Sequence, residues 1–296
     1  MESVLLITGG SALSSTEIFP SPERACSSPD LPSDRFAHTS FLTSEPRAQI
    51  AVCGGYTEQE WTSSCLVLDQ INQRWDNTRM GSLTMARGYA AVARLNYVGV
   101  FLIGGNNNNN QRTSEFLAAG TLQWREGPTL PEDMTFPCAV TISATTFLVV
   151  HGTGINEFDA RIAGPTSSLG WRASSWPTLR TSTTHPPGCA KVGQKVIVVG
   201  GGEEHSSTQV LDLDSHKVTS AGKTASPRQW FHMATMTDKN NEPRTFALGG
   251  AVGGSSFYSA EEWVPGNSSW KAGGRMGEKR RRFGAVLLPK QLLCPL

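Results

Sequence analysis

The segment VGVFLIGG at residues 98–105 decides the fold. It is an apolar run, rich in β-branched and aromatic residues, that ends in a glycine pair, which is typical of a buried strand that runs into a tight turn. The same pattern occurs at five other places in the chain. Their final glycines follow one another at intervals of 45, 50, 47, 49 and 49 residues, so we predict six repeats of about 48 residues. The other copies are VLLITGG (4–10), AQIAVCGG (48–55), TFLVVHG (146–152), KVIVVGG (195–201) and TFALGG (245–250).

Two further markers keep the same phase as the glycine pairs. A tryptophan follows the last glycine by 19 or 20 residues in four repeats, at Trp75, Trp124, Trp171 and Trp270. An alternating segment such as GYAAVARL (88–95) precedes the glycine-terminated runs. Each repeat is therefore predicted to contain four strands, here named a, b, c and d, with the glycine pair at the end of b and the tryptophan slot in d.

A four-stranded antiparallel sheet of this kind has two apolar faces to cover, so neighbouring repeats must stack face to face. Six such sheets arranged around an axis form a six-bladed β-propeller. The last segment, RFGAVLL (282–288), reads as an a strand, whereas the chain starts at the b strand VLLITGG (4–10). We predict that these two segments pair and close the ring, so that residues 1–296 form a single all-β domain.

Composition excludes several classes of partner. The chain has 26 Lys and Arg against 25 Asp and Glu, so it lacks the positive field that attracts nucleic acid. No apolar stretch reaches the roughly 18 to 20 residues of a membrane-spanning helix. The first residues lack the positively charged start of a secretory signal. The sequence as it stands predicts a cytoplasmic protein, and an extracellular one if a signal peptide is missing from this chain.

The six cysteines are at positions 26, 53, 65, 138, 189 and 294, and they form no C-x-x-C pair. Two interpretations stay open. Buried free thiols are one, because cysteine is among the most buried residue types. The other is a Cys53–Cys65 disulfide across neighbouring strands, which requires an oxidising compartment.

In these markers the chain resembles the Kelch-repeat family of β-propellers. The resemblance consists of the glycine pairs, the tryptophan about 20 residues later, the stretch WREGPTLP (124–131), and the arginine before strand a in MARGYAAV (85–92). It covers the whole chain, although the fourth repeat has His151-Gly152 for the glycine pair and the fifth lacks the tryptophan. The resemblance implies a Kelch-type propeller that acts as a protein-binding module, scaffold or adaptor, and we predict that it is monomeric.

The partner is predicted to bind at one end of the ring. Because strand direction alternates within a blade, the b-to-c loops and the loops from d to the next a emerge together. The second group of loops contains arginines that match the one with which some Kelch receptors grip acidic peptides, which favours a protein or peptide partner with an acidic segment. Alternatively, these arginines hydrogen-bond loop carbonyls and the aromatic residues cap the blade ends. The candidate residues are Tyr56, Trp61, Arg112 and Tyr258 in b-to-c loops, and Arg35, Arg87, Arg228 and Arg282 before a strands.

Some Kelch-type propellers are enzymes, and their catalytic residues form recognisable motifs. Copper radical oxidases of this type need a tyrosine fused to a cysteine, and none of the four tyrosines here stands beside a cysteine. The six histidines have no metal-ligand spacing, and no nucleophile elbow, phosphate loop or dinucleotide fingerprint is present. We therefore predict a non-enzymatic protein with no cofactor and no metal. The alternative is a sugar-acid-binding or isomerising propeller that resembles bacterial sialic acid mutarotase and uses the same end of the ring.

Overall fold

The computed structural model describes residues 2–21, 27–44, 48–58, 60–106, 111–152, 154–161, 170–172, 175–181, 185–201, 205–264, 266 and 269–293. The strands in the first half are β1 (Ser3–Gly10), β2 (Leu13–Phe19), β3 (Thr39–Leu42), β4 (Ile50–Cys53), β5 (Tyr56–Thr57), β6 (Glu60–Trp61), β7 (Cys65–Asp69), β8 (Arg74–Asp76), β9 (Ala91–Leu95), β10 (Gly99–Ile103), β11 (Ser114–Ala118), β12 (Trp124–Glu126) and β13 (Cys138–Thr141). Those in the second half are β14 (Thr146–His151), β15 (Gly154–Asp159), β16 (Trp171–Arg172), β17 (Pro187–Val192), β18 (Lys195–Gly200), β19 (Thr208–Asp212), β20 (Lys217–Ala221), β21 (His232–Thr237), β22 (Pro243–Leu248), β23 (Ala251–Val252), β24 (Ser255–Val264), β25 (Ser269–Arg280) and β26 (Gly284–Pro289), followed by the helix α1 (Lys290–Leu293).

These strands form the six antiparallel sheets of a six-bladed β-propeller, which confirms the predicted fold class. In order from a to d, blade two is β3-β4-β7-β8, blade three β9-β10-β11-β12, blade four β13-β14-β15-β16 and blade five β17-β18-β19-β20. Blade six is β21-β22-β24-β25, with β23 paired to β24. The described part of blade one is β26-β1-β2. Cys26, which stands where four of the other repeats have the tryptophan, lies outside the described residues.

Closure of the ring occurs where the sequence predicted it. Strand β26 pairs antiparallel with β1, and Leu6 faces Val286 in this register. The a strands then follow one another around the axis, since each of β26, β3, β9, β13, β17 and β21 contacts the next and β21 contacts β26. The ring therefore has no open sheet edge at the seam between the two chain ends.

The hydrophobic core lies between neighbouring blades. All five residues of β10 are buried, because both faces of a b strand are covered by other blades. Trp124 in the d strand of blade three is 7% exposed and its ring stands edge-on to Phe41 of blade two, with the ring centroids 5.7 Å apart. The repeat tryptophan of this blade therefore fills the space between two neighbouring blades.

The glycine pair of blade two shows why the repeat requires glycine. Gly54 and Gly55 have φ angles of +67° and +91°, a region that side chains rarely adopt. A Cβ atom on Gly54 would collide with the carbonyl oxygen of Arg87 in the next blade. The Gly55 N–H donates a hydrogen bond of 2.8 Å to that same carbonyl. The pair thus lets the end of one b strand pack directly on the loop that enters the next blade.

Across the described ranges, no helix has the length and apolar character needed to span a membrane.

Candidate functional site

A cavity of about 210 Å³ opens on the propeller axis, at the end where the a strands begin. Every blade contributes four consecutive residues to its wall, so the cavity is the entrance of the central channel, here called the channel mouth. This is the end of the ring that carries the b-to-c loops and the loops from d to a, as predicted. The lining residues are 37–40, 89–92, 136–139, 186–189, 230–233 and 282–285.

The first lining residue has an unusual backbone in every blade except blade five, where it is Pro186. In five blades its φ lies between +53° and +58°, and none of these residues is glycine; they are Ala37, Tyr89, Phe136, Trp230 and Arg282. In three of them the N–H donates to the carbonyl of the equivalent residue in the preceding blade, with distances of 2.6 to 2.9 Å. These hydrogen bonds explain why the left-handed conformation is maintained. Such a conformation costs of order 1–3 kcal/mol per residue and is concentrated at functional sites.

Arg282 is the charged group of the channel mouth. Its guanidinium carbon lies 4.4 Å from the centroid of the Trp230 ring, 5.8 Å from that of Tyr89 and 5.9 Å from that of Phe36. Its Nε is buried and has no acceptor among the described residues. The described lining contains no Asp or Glu. The positive charge is therefore held by aromatic faces and is not neutralised by a carboxylate of the described lining.

The two histidines of the lining add no charge at neutral pH. Burial, together with the charge of Arg35, lowers the pKa of His38 to about 3, while its Nε2 lies 2.8 Å from Thr8 Oγ1. Burial lowers the pKa of His232 to about 4. Among the described lining residues, Arg282 is therefore the one that carries a charge near pH 7.

Half-buried aromatic rings continue from the channel mouth across blades two to four. Ring centroids are 5.0 Å apart between Phe36 and Tyr56, 5.3 Å between Tyr56 and Trp61, 6.0 Å between Trp61 and Tyr89, and 4.8 Å between Tyr89 and Phe136. We call these five residues the aromatic arc. Burial raises the pKa of Tyr89, so its phenol remains a neutral hydrogen-bond donor. Of the predicted candidates, Tyr56 and Trp61 lie in this arc.

Three of the four predicted arginines point into the blades. The side chains of Arg35, Arg87 and Arg228 are buried, with residue exposures of 4%, 1% and 0%. They donate to the carbonyls of Gly54, Gly104 and Gly249 at 2.9, 2.9 and 2.7 Å, which is the bonding that the alternative interpretation describes. Their guanidinium groups are not exposed where a partner would contact the ring.

In blade one, the residue equivalent to Arg35, Arg87 and Arg228 is Arg280 and not Arg282. This corrects the predicted alignment. Arg280 is 1% exposed, and its guanidinium donates hydrogen bonds of 2.6 Å to the carbonyl of Gly9 and 2.7 Å to Glu17 Oε1. Arg282, two residues later, is placed at the channel mouth instead. The run of consecutive arginines at 280–282 concealed this shift, because the sequence offers no reason to prefer one of them.

The remaining two candidates lie away from the channel mouth. Arg112 is exposed and donates a hydrogen bond of 3.2 Å to the carbonyl of Pro131. Tyr258 is 43% exposed on β24, where Arg275 and Lys279 lie about 6 Å from its ring centroid. Neither residue lines the cavity on the axis.

Four cysteines form two disulfides, so the free-thiol interpretation is wrong for them. Cys53 is joined to Cys65, as the second interpretation proposed. Cys138 is joined to Cys189, a pair that sequence reasoning missed. Cys26 and Cys294 lie outside the described residues. The signal that could have found the second pair is its separation of 51 residues, which is about one repeat.

Sequence reasoning also did not single out Tyr89 as a site residue. The repeat held the necessary signal, since Tyr89 stands two positions after the buried Arg87, as Trp230 does after Arg228. Among the described residues, no group of three or more His, Cys, Asp or Glu side chains is arranged to hold a metal ion.

Comparison with known proteins gives no family. No protein-family model matches the chain, and no curated protein matches it in sequence.

Proposed function

We propose that this propeller is a non-enzymatic, monomeric protein-binding module. In this proposal a partner lays an extended segment along the aromatic arc and places one acidic side chain against Arg282. The propeller architecture is consistent with an interaction module. We also propose, from the repeat markers in the sequence, that the chain is a divergent member of the Kelch-repeat family.

The observation that supports this function most is the environment of the Arg282 guanidinium. It is held between aromatic rings, its buried Nε has no acceptor in the described structure, and the described lining has no acidic residue. Arginine binds carboxylates through two parallel hydrogen bonds, and such bonds strengthen when water is excluded. An acidic side chain of a partner would bind the guanidinium through its terminal nitrogens, since Nε itself is buried.

The aromatic arc supports the same conclusion. Tyrosine, tryptophan and arginine are the residue types that dominate binding energy at protein interfaces. Tyr56, Trp61 and Tyr89 are half-buried, so their positions are fixed by packing while part of each ring faces solvent. A surface of this kind loses little side-chain entropy on binding.

The sugar-acid alternative is less favoured by the size of the cavity. Small-molecule sites usually enclose about 300–1,000 Å³, whereas the channel mouth encloses about 210 Å³. The space suits one side chain better than a whole sugar acid. Titration with N-acetylneuraminic acid tests this alternative directly, because binding or isomerisation of the sugar would favour it over the peptide proposal.

The test is selection from an arrayed library of random 12-residue peptides. We expect peptides captured by the unaltered protein to be enriched in Asp and Glu, and replacement of the acidic residue by its amide to weaken binding. Loss of one partner of a desolvated charge pair costs about 2–5 kcal/mol, or roughly 30-fold or more in affinity. Arg282→Met should show this loss, and Arg282→Lys should restore part of the affinity.

Arg112→Met is the matched control, because Arg112 is exposed and lies outside the channel mouth. It should bind the selected peptides as the unaltered protein does. A thermal melt of each variant checks that the ring is intact. The proposal fails if folded Arg282→Met selects the same acidic peptides with unchanged affinity.

A further inference from the structure

The Cys138–Cys189 disulfide joins two blades and borders the channel mouth. Cys138 lies in β13 and Cys189 in β17, the neighbouring a strands of blades four and five, with their Cα atoms 6.0 Å apart. Both residues belong to the cavity lining. Cys189 is 7% exposed and packs in the core between the two blades, whereas Cys138 is half-buried, so part of this residue faces the channel.

This bond lies between blades four and five, and among the described residues of these two blades no buried arginine donates to a carbonyl of the glycine pair, as arginines do in the other four blades. In blades one, two, three and six an arginine donates to the carbonyl of the first glycine of the pair. Met134 occupies that position in blade four, and its carbonyl still accepts from Gly105 N–H at 3.0 Å. Its side chain, however, has no donor. In blade five the equivalent residue is Thr184 in the sequence, which has no guanidinium.

The other disulfide provides an internal contrast. Cys53 and Cys65 face each other on β4 and β7 within one blade, at exposures of 1% and 2%. Neither residue lines the channel mouth. A reagent can therefore reach this bond only if blade two opens.

We propose that the Cys138–Cys189 disulfide is a thiol-exchange site that takes small anionic thiols through the channel mouth and whose reduction loosens the junction of blades four and five. Arg282 provides the charge preference. Its guanidinium lies 5.8 Å from the Tyr89 ring, and that ring lies 4.8 Å from Phe136, two residues before Cys138. Arg282 and both cysteines also line the same cavity, so a thiol that enters the channel mouth meets this charge on its way to the disulfide. An effect of reduction on partner binding rests on the proposed function, whereas the exchange itself does not.

The chemistry balances as a two-step exchange. A thiolate attacks Sγ of Cys138, the bond to Cys189 breaks, and Cys189 leaves as a thiolate that takes up a proton. A second thiolate then attacks the mixed disulfide, which releases Cys138 as a thiol and oxidises the two small thiols to their disulfide. Bonds of this type persist in oxidising compartments, so the exchange would report a change in that environment.

The test uses three small thiols of similar size and different charge on the unaltered protein: 2-mercaptoethanesulfonate, 2-mercaptoethanol and cysteamine. Alkylation and mass spectrometry follow each disulfide separately, and rates are expressed per thiolate. We expect Cys138–Cys189 to be reduced at least about tenfold faster than Cys53–Cys65, because only the first is reached without opening of the fold. The anionic thiol should react roughly twofold faster than the cationic one at Cys138–Cys189, because water and salt screen the charge of Arg282, and Arg282→Met should remove this difference.

Hydrogen exchange measures the consequence for the ring. Reduction of the unaltered protein, and the double variant Cys138→Ser with Cys189→Ser, should increase exchange in β13 and β17. The matched double variant at Cys53 and Cys65 should leave those two strands unchanged. Equal reduction rates for the two disulfides, a faster reaction with the cationic thiol, or unchanged exchange in β13 and β17 after reduction would each overturn the proposal. Peptide binding plays no part in these measurements, so their failure is distinct from failure of the proposed function.

Discussion

Replacement of Arg87 by methionine should destabilise the propeller strongly while leaving its shape unchanged. The Arg87 guanidinium donates to Glu115 Oε1 at 3.0 Å, to the carbonyls of Gly104 and Thr113 at 2.9 and 3.3 Å, and to Thr113 Oγ1 at 3.1 Å. Both members of the ion pair are buried, with side-chain exposures of 1% and 0%. Arg87→Met therefore leaves a buried carboxylate without its cation.

Removing one partner of such a pair costs about 3–5 kcal/mol. For a chain of 296 residues, an unfolding entropy of about 2.1 cal/mol/K per residue converts this to a melting temperature lower by about 5–8 °C. Part of the carboxylate remains satisfied, because the N–H groups of Thr84 and Met85 donate to it. The double variant Arg87→Met with Glu115→Leu should recover some of the loss, since it removes the unpaired charge.

The assay is guanidinium-induced unfolding followed by circular dichroism, together with a thermal melt. Arg112→Met is the control and should change the stability by no more than about 0.5 kcal/mol, because that side chain is exposed. A melting temperature for Arg87→Met within about 2 °C of the unaltered protein would refute the view that this arginine holds the loop that enters blade three against the end of that blade. The expected loss of stability also makes Arg87→Met unsuitable for testing partner binding, because binding would be lost together with the fold.

Three further outcomes are expected. Gly54→Ala should cost more than the roughly 1 kcal/mol of an ordinary backbone effect, because the new Cβ meets the carbonyl of Arg87 at a φ of +67°; an unchanged unfolding midpoint would contradict this. Trp124→Ala should cost about 3–5 kcal/mol through the void left against Phe41, and a melting curve that coincides with that of the unaltered protein would exclude it. His38 has a folded-state pKa of about 3, below the unfolded value near 6.5, so the unfolded state binds the extra proton first and stability falls as pH drops through this window. His38→Gln should reduce the loss of stability, measured as the denaturant midpoint from pH 7 to 3. Parallel curves for the two proteins would contradict the low pKa of His38.

The sequence determined the number of blades, their order and the closure of the ring. These properties depend on local patterns that repeat, namely an apolar run, a glycine pair and a tryptophan. Glycine is required at positions such as Gly54 for reasons of backbone geometry, and large aromatic side chains are required between sheets for reasons of volume. A repeated requirement of this kind leaves a period that can be read directly.

Only the tertiary structure decided which side chains reach the channel mouth. Arg280 and Arg282 are identical in type and two residues apart, yet hydrogen bonds to Gly9 and Glu17 bury the first, and a left-handed turn places the second on the axis. The Cys138–Cys189 bond likewise depends on how blades four and five pack. Sequence spacing records position along the chain, whereas these contacts are made between blades, and their distances are set by the closure of the whole ring.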